Sequence, residues 1–169
     1  MNKKTALITG ISGQDGAYLA QFLLNKKYRV IGIERRSARN INWRLEKLSI
    51  LNKFVIEDCD IKEINNIIRI FQKYKIDEVY NLAAQSFVGS SFGNPIETSN
   101  VNALGTLNLL EVIRTQNKKI KFYQASTSEM FGEHGQKKQN ELTKFHPRSP
   151  YATSKVFSHF TIQNYREDY

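Results

Sequence analysis

With 169 residues, 40% of them hydrophobic, and a formal charge of +9, the chain can build one substantial core and no more. No apolar run approaches the roughly 20 residues that span a bilayer, no secretion cleavage pattern stands at the start, and a lone cysteine, Cys59, excludes an internal disulfide framework. The 25 lysines and arginines are scattered without dense clusters or aromatic interleaving, which disfavours a nucleic-acid surface and leaves a phosphorylated small ligand as the better match to the charge. A cytoplasmic protein with no membrane segment and no metal site is expected, with Cys59 a packed small residue.

In chain order, the apolar run Ala6-Leu7-Ile8 predicts a buried strand over 5–9, followed by TGISGQDG at 9–16 and a helix over 16–26. Glycines at 10, 13 and 16 stand where strand must turn into helix. Backbone N–H groups can there approach a pyrophosphate without Cβ obstruction, and the helix N-terminus adds partial positive charge. The spacing is G-x-x-G-x-x-G, not the G-x-G-x-x-G of ordinary dehydrogenases, and a glycine-rich turn alone often serves only close packing.

A strand over 29–33 ends in Glu34-Arg35-Arg36-Ser37. An acidic residue there favours the free ribose hydroxyls of NAD, whereas arginine accommodates the 2′-phosphate of NADP. The paired arginines and Ser37 favour NADP, Glu34 dissents, and a solvated turn is the bland alternative. A helix over 43–51 and a strand over 54–57 follow. At Asp60-Ile61 a carboxylate and the next N–H can hold an adenine edge; alternatively Asp58 or Asp60 caps the next helix, 62–74.

The strand over 78–81 runs into Leu82-Ala83-Ala84-Gln85-Ser86, small residues suited either to backbone passing beneath a cofactor or to tight packing. In a helix over 98–115, Ala103, Leu107 and Leu110 form an apolar stripe able to cover a sheet. The strand over 121–125 ends at Ser126-Thr127-Ser128-Glu129, where buried chain meets the crevice. The polar stretch 132–146 reads as a loop over the site. In the helix over 150–166, Ser149 is a natural N-cap and Pro150 fits the first position. Tyr151 and Lys155 share one helix face, where an ammonium and a cofactor ribose would stabilise a phenolate; an isolated Tyr-x-x-x-Lys is usually just a helix surface.

This alternation predicts an α/β fold: a Rossmann-like, doubly wound parallel sheet with its ligand crevice at the strands' carboxyl ends. Tyr169 falls in or just beyond a helix that should lead to a sixth strand. The expectation is therefore one NADP-binding domain over 1–169 carrying the catalytic residues, cut before that strand and a substrate domain. The fifth strand would be an exposed edge, so the isolated chain is expected to bind NADP weakly or not at all.

The strings TGISGQDG, NLAAQS, STSE and YATSK resemble the extended short-chain dehydrogenase/reductase superfamily. The longer strings TGISGQDGAYLA, RRS, YNLAAQSFVGSSF, FYQASTSEMFG and FHPRSPYATSK are similar to its GDP-mannose 4,6-dehydratase family, from Lys4 to Tyr169. The resemblance implies NADP-dependent conversion of GDP-mannose to GDP-4-keto-6-deoxymannose. Tyr151 takes the O4 proton while hydride leaves C4, Thr127 hydrogen-bonds O4, and Glu129 removes the C5 proton and assists loss of water from C6 before hydride returns there. Lys155 binds the nicotinamide ribose and tunes Tyr151. The implied cofactor contacts are Gly10, Gly13, Gln14, Asp15, Gly16, Arg35, Asp60, Ile61, Leu82, Ala84, Gln85, Ser86 and Lys155; Ser86 and Ser128 would meet the substrate. Ser128 matches the GDP-mannose pattern rather than the S-T-D-E of dTDP-glucose dehydratases, and Glu129 argues against a related reductase or epimerase. Glu97 departs from a tyrosine that some members carry near the cofactor. A homo-oligomer is implied for the complete protein, and a non-catalytic NADP-binding remnant is the reading from another class.

Overall fold

The computed structural model describes residues 3–133 and 138–169. Five strands, β1 (Thr5–Thr9), β2 (Arg29–Glu34), β3 (Val55–Asp58), β4 (Glu78–Asn81) and β5 (Lys121–Gln124), form one parallel sheet in the order β3-β2-β1-β4-β5. All five residues of β1 are buried, because a parallel sheet is covered on both faces. Alternate side chains serve opposite cores. Ala6 and Ile8 pack with Ala17, Ala20 and Leu23 of α1 (Gln14–Asn25) and Leu45 of α2 (Trp43–Lys47). Leu7 packs with Ile67 and Ile70 of α3 (Ile64–Lys73) and with Leu109 and Val112 of a later helix. Cys59 lies in that second core, and burial pushes its thiol up to about 11, as a packed residue requires.

The predicted strands all form, within a residue or so of their bounds; the helices differ more. The segment 43–51 is not one helix: Ser49 takes a φ of 54°, which breaks it into α2 and a 3-10 turn at Leu51–Lys53. Two short helices were not anticipated, α4 (Val88–Gly93) and α5 (Pro95–Ser99), the latter with Pro95 in its first turn. From α5 the chain passes through a π-helical segment, Asn100–Leu104, into α6 (Gly105–Gln116). The wider π turn shifts the helical phase. Leu107 is consequently only half-buried, while Leu109, Val112 and Ile113 face the core beside the correctly anticipated Ala103 and Leu110.

After β5, a 3-10 turn at Ser128–Met130 leads to the stretch 132–146, of which 134–137 lie outside the described residues; the rest forms neither helix nor strand. The final helix α7 (Pro150–Asp168) packs on α4, α5, the π segment, α6 and the 3-10 turn. Strand β5 is the sheet edge, as expected. Among the described residues, no helix is long and apolar enough to cross a membrane.

The first turn of α1 admits no side chain at Gly16: a Cβ there would lie 2.3 Å from the Gly10 carbonyl oxygen and 2.8 Å from Ile11 Cα. Both contacts are backbone, so relief requires moving the β1–α1 turn. Gly16→Ala should therefore cost about 3 kcal/mol, at the upper end of overpacking effects, read as a lowered urea midpoint with unchanged slope.

Candidate functional site

The sheet's switch point lies between β1 and β4, and there the chain is knotted by hydrogen bonds. Thr9 Oγ1 donates to Asn81 Oδ1 at 2.6 Å and accepts from the N–H groups of Leu82 and Ala83 at 3.1 and 3.0 Å. Asn81 Nδ2 donates to Gln124 Oε1 and Thr106 Oγ1, extending the knot to β5 and α6. Gly10 follows with a φ of 65°, and a Cβ there would meet Ala83 N at 3.0 Å. Only glycine combines this left-handed backbone with so close a crossing.

The strand ends and loops around this crossing enclose a crevice of about 510 Å³. Of the anticipated cofactor residues, Gly10, Gly13, Arg35, Asp60, Ile61, Leu82, Ala84, Gln85 and Ser86 line it. Gln14, Asp15, Gly16 and Lys155 do not. Gln14 and Asp15 are exposed on the first turn of α1, Gly16 packs beneath the turn, and Lys155 stands toward β5. Ser12, Ile33 and Val101 also line the crevice and were not singled out from the sequence; Cys59, read as a packed residue, and Ala83 of the 82–86 stretch line it as well. Gln85 Oε1 is buried there without a hydrogen-bond partner among the described residues.

The acidic residues in and beside the crevice have separate duties. Glu34 Oε2 accepts from both Ser12 N (3.1 Å) and Ser12 Oγ (2.5 Å), so this carboxylate braces the glycine turn. Asp58 Oδ1 accepts from Arg36 N, and Asp60 Oδ1 from Lys62 N, which is a turn within the loop. Neither aspartate caps α3; its N-cap position is Glu63, which makes no side-chain cap bond. The capping alternative is therefore set aside.

A second group of residues gathers at the end of β5. Thr127 Oγ1 accepts from Glu129 N at 3.2 Å and so caps the 3-10 turn, leaving Ser128 and Glu129 exposed. Ser149 Oγ accepts from Ala152 N, starting α7 as its sequence predicted. One turn into α7, Lys155 Nζ donates to the Ala125 carbonyl at 3.0 Å and stands 5.8 Å from the centre of the Tyr151 ring. His146 N donates to the Met130 carbonyl, and Phe145 packs on Phe131 and Phe160, holding the β5 turn to α7. Thr127, Glu129, Tyr151 and Lys155 thus belong to two elements packed on each other. Asn102 of the π segment joins this group to the crevice. Its Nδ2 donates to the Gln85 carbonyl and Ser154 Oγ, and its Oδ1 accepts from Gln85 N. Nothing in its flanking sequence singled it out, because its partners lie 17 and 52 residues away.

The parallel sheet, the glycine turn at its switch point and the Tyr151/Lys155 helix beside β5 define a Rossmann-like domain. Similarity then narrows the class. The profile of the family described as GDP-mannose 4,6 dehydratase matches residues 7–169. GDP-mannose 4,6-dehydratase of Vibrio cholerae is 50% identical over 177 residues, covering 100% of this chain and 47% of that protein. GDP-mannose 4,6 dehydratase 1 of Arabidopsis thaliana is 46% identical, covering 99% of this chain and 49% of its own. Among solved structures, UDP-glucose 4-epimerase of Bifidobacterium longum, in complex with NAD+ and UDP, superposes with a TM-score of 0.85 at 29% identity, covering 95% of this chain and 48% of that one. The chain belongs to the GDP-mannose 4,6 dehydratase family and spans about half the length of the curated relatives it matches.

Burial depresses the Lys155 ammonium from 10.5 to about 8. The folded chain then releases this proton while the unfolded chain keeps it between roughly pH 8 and 10.5, so stability rises with pH across that window. At about 1.4 kcal/mol per unit the group contributes a rise of roughly 3 kcal/mol. In urea titrations from pH 7 to 10.5, wild-type stability minus that of Lys155→Met should climb by this order, whereas a flat difference would show the ammonium to be well solvated.

Proposed function

We propose that this chain carries the NADP-binding and proton-transfer residues of a GDP-mannose 4,6-dehydratase. Two details support a dinucleotide in the crevice: the buried Gln85 Oε1 lacks a hydrogen-bond partner among the described residues, and Arg35 lines the wall. Gly10, Gly13 and the first turn of α1, with Gln14, Asp15 and Gly16, would hold the pyrophosphate. Asp60 and Ile61 would hold the base, Leu82, Ala84, Gln85 and Ser86 the inner wall, and Lys155 the nicotinamide ribose. NADP is favoured over NAD because Glu34 is already engaged by Ser12, while Arg35 is available for a 2′-phosphate.

The observation that carries the reading is the Lys155–Ala125 bond, which fixes the face of α7 bearing Tyr151 against the strand end that becomes the Thr127–Glu129 turn. When bound, a nicotinamide would supply the hydride chemistry, accepting hydride from sugar C4 and returning it to C6. Tyr151, as phenolate beside the Lys155 ammonium, takes the O4 proton, and Thr127 Oγ1 orients that oxygen. The 4-ketone acidifies C5–H. Exposed Glu129 removes that proton and passes it to the C6 hydroxyl, which departs as water; as hydride returns to C6, the proton held by Tyr151 goes to C5, restoring the phenolate. Ser86 and Ser128 would contact the sugar nucleotide.

Product analysis of the complete protein with GDP-mannose and NADP tests this, with GDP-4-keto-6-deoxymannose the expected product and Tyr151→Phe lowering turnover about a thousandfold. Glu129→Gln should still form reduced nicotinamide in a single turnover, seen by near-ultraviolet absorbance, yet fail to exchange the C5 proton with solvent. Undiminished product from either variant would remove the assigned role.

A further inference from the structure

Glu97, the residue that departs from the family pattern, lines the same crevice as Asp60. Its Oε1 accepts from Lys62 Nζ at 2.8 Å, and that same Nζ stands 3.7 Å from Asp60 Oδ2. The first is a charge-assisted hydrogen bond; the second is too long to be one. One ammonium therefore faces two carboxylates, and the close contact goes to Glu97. The Lys62 ammonium is raised above its ordinary value, chiefly by that bond. Asp60 Oδ1 is occupied by Lys62 N, but Oδ2 takes no hydrogen bond from any described residue. A part-exposed ion pair of this kind adds little stability, so its effect lies in where it puts the charge.

We propose that Glu97 is a positioning residue for base recognition: it draws the Lys62 ammonium away from Asp60, so that Asp60 Oδ2 stays open to an amino donor on the purine of a bound dinucleotide. This rests on Asp60 as the base acceptor under the function proposed above. Without the Glu97 charge, Coulomb attraction brings Lys62 onto Asp60. The acceptor is then covered, and a donor faces the base instead. An adenine edge loses its partner, whereas a hypoxanthine edge, with a carbonyl oxygen at that position, does not.

Calorimetric binding of NADP and of nicotinamide hypoxanthine dinucleotide phosphate to the complete protein gives the test. Wild type should prefer the adenine form. Glu97→Gln should cut that preference about fivefold, the scale of one weakened hydrogen bond, with affinity for the hypoxanthine form retained. The double variant Lys62→Met/Glu97→Gln should regain the wild-type preference, because no ammonium remains to be misplaced. An unchanged preference in Glu97→Gln, or an equal loss for both dinucleotides, overturns the proposal. Asp60→Ala separates the two levels: if it keeps the wild-type preference, the reading of Asp60 itself fails, whereas a preference lost there and kept in Glu97→Gln defeats only the role of Glu97. No NADP binding by wild type would defeat both.

Discussion

Thr9 and Gly10 cross Leu82 and Ala83 at backbone distance, and the site is built outward from that crossing. A hydroxyl with one donor and two accepting lone pairs is used in full: Thr9 Oγ1 bonds Asn81, Leu82 N and Ala83 N. A buried polar knot of this kind is costly if any member lacks a partner, and here the members named are paired. The same crossing turns β1 toward α1 and β4 toward its loop, which opens the crevice. Glu34 completes the support from the neighbouring strand by bracing Ser12.

The β5 side uses a different device. Lys155 is 4% exposed, and a buried ammonium is unfavourable unless hydrogen-bonded. The Ala125 carbonyl provides that bond, one residue past the end of β5, where the chain leaves the sheet. Asn102, on the π segment, links the two halves of the site, contacting the 82–86 loop and α7 together. The crevice and helix α7 are thereby one mechanically connected unit.

Charge in the crevice is arranged by pairing rather than by sign alone. Glu34 is committed to the turn, Glu97 to Lys62, and Asp60 retains an open oxygen. Arg35 lines the wall near these acids. A chain with nine excess positive charges thus presents a mixed crevice, in which each carboxylate's neighbour decides whether it supports the fold or meets a ligand.

The sequence by itself determined the strands, the glycine turn, the start of α7 and nine of the residues lining the crevice, because these depend on local rules. Apolar runs bury as parallel strands, Gly10 suits a left-handed turn, Ser149-Pro150 caps a helix, and Tyr151 and Lys155 share a face by spacing. The fold class followed from the alternation of elements. Tertiary structure alone decided what each charge does, since Glu34, Asp58 and Glu97 find partners 22 to 35 residues distant. It also decided the phase of α6, which a π turn set off the regular 3.6-residue period, and the part played by Asn102, whose contacts only folding brings together.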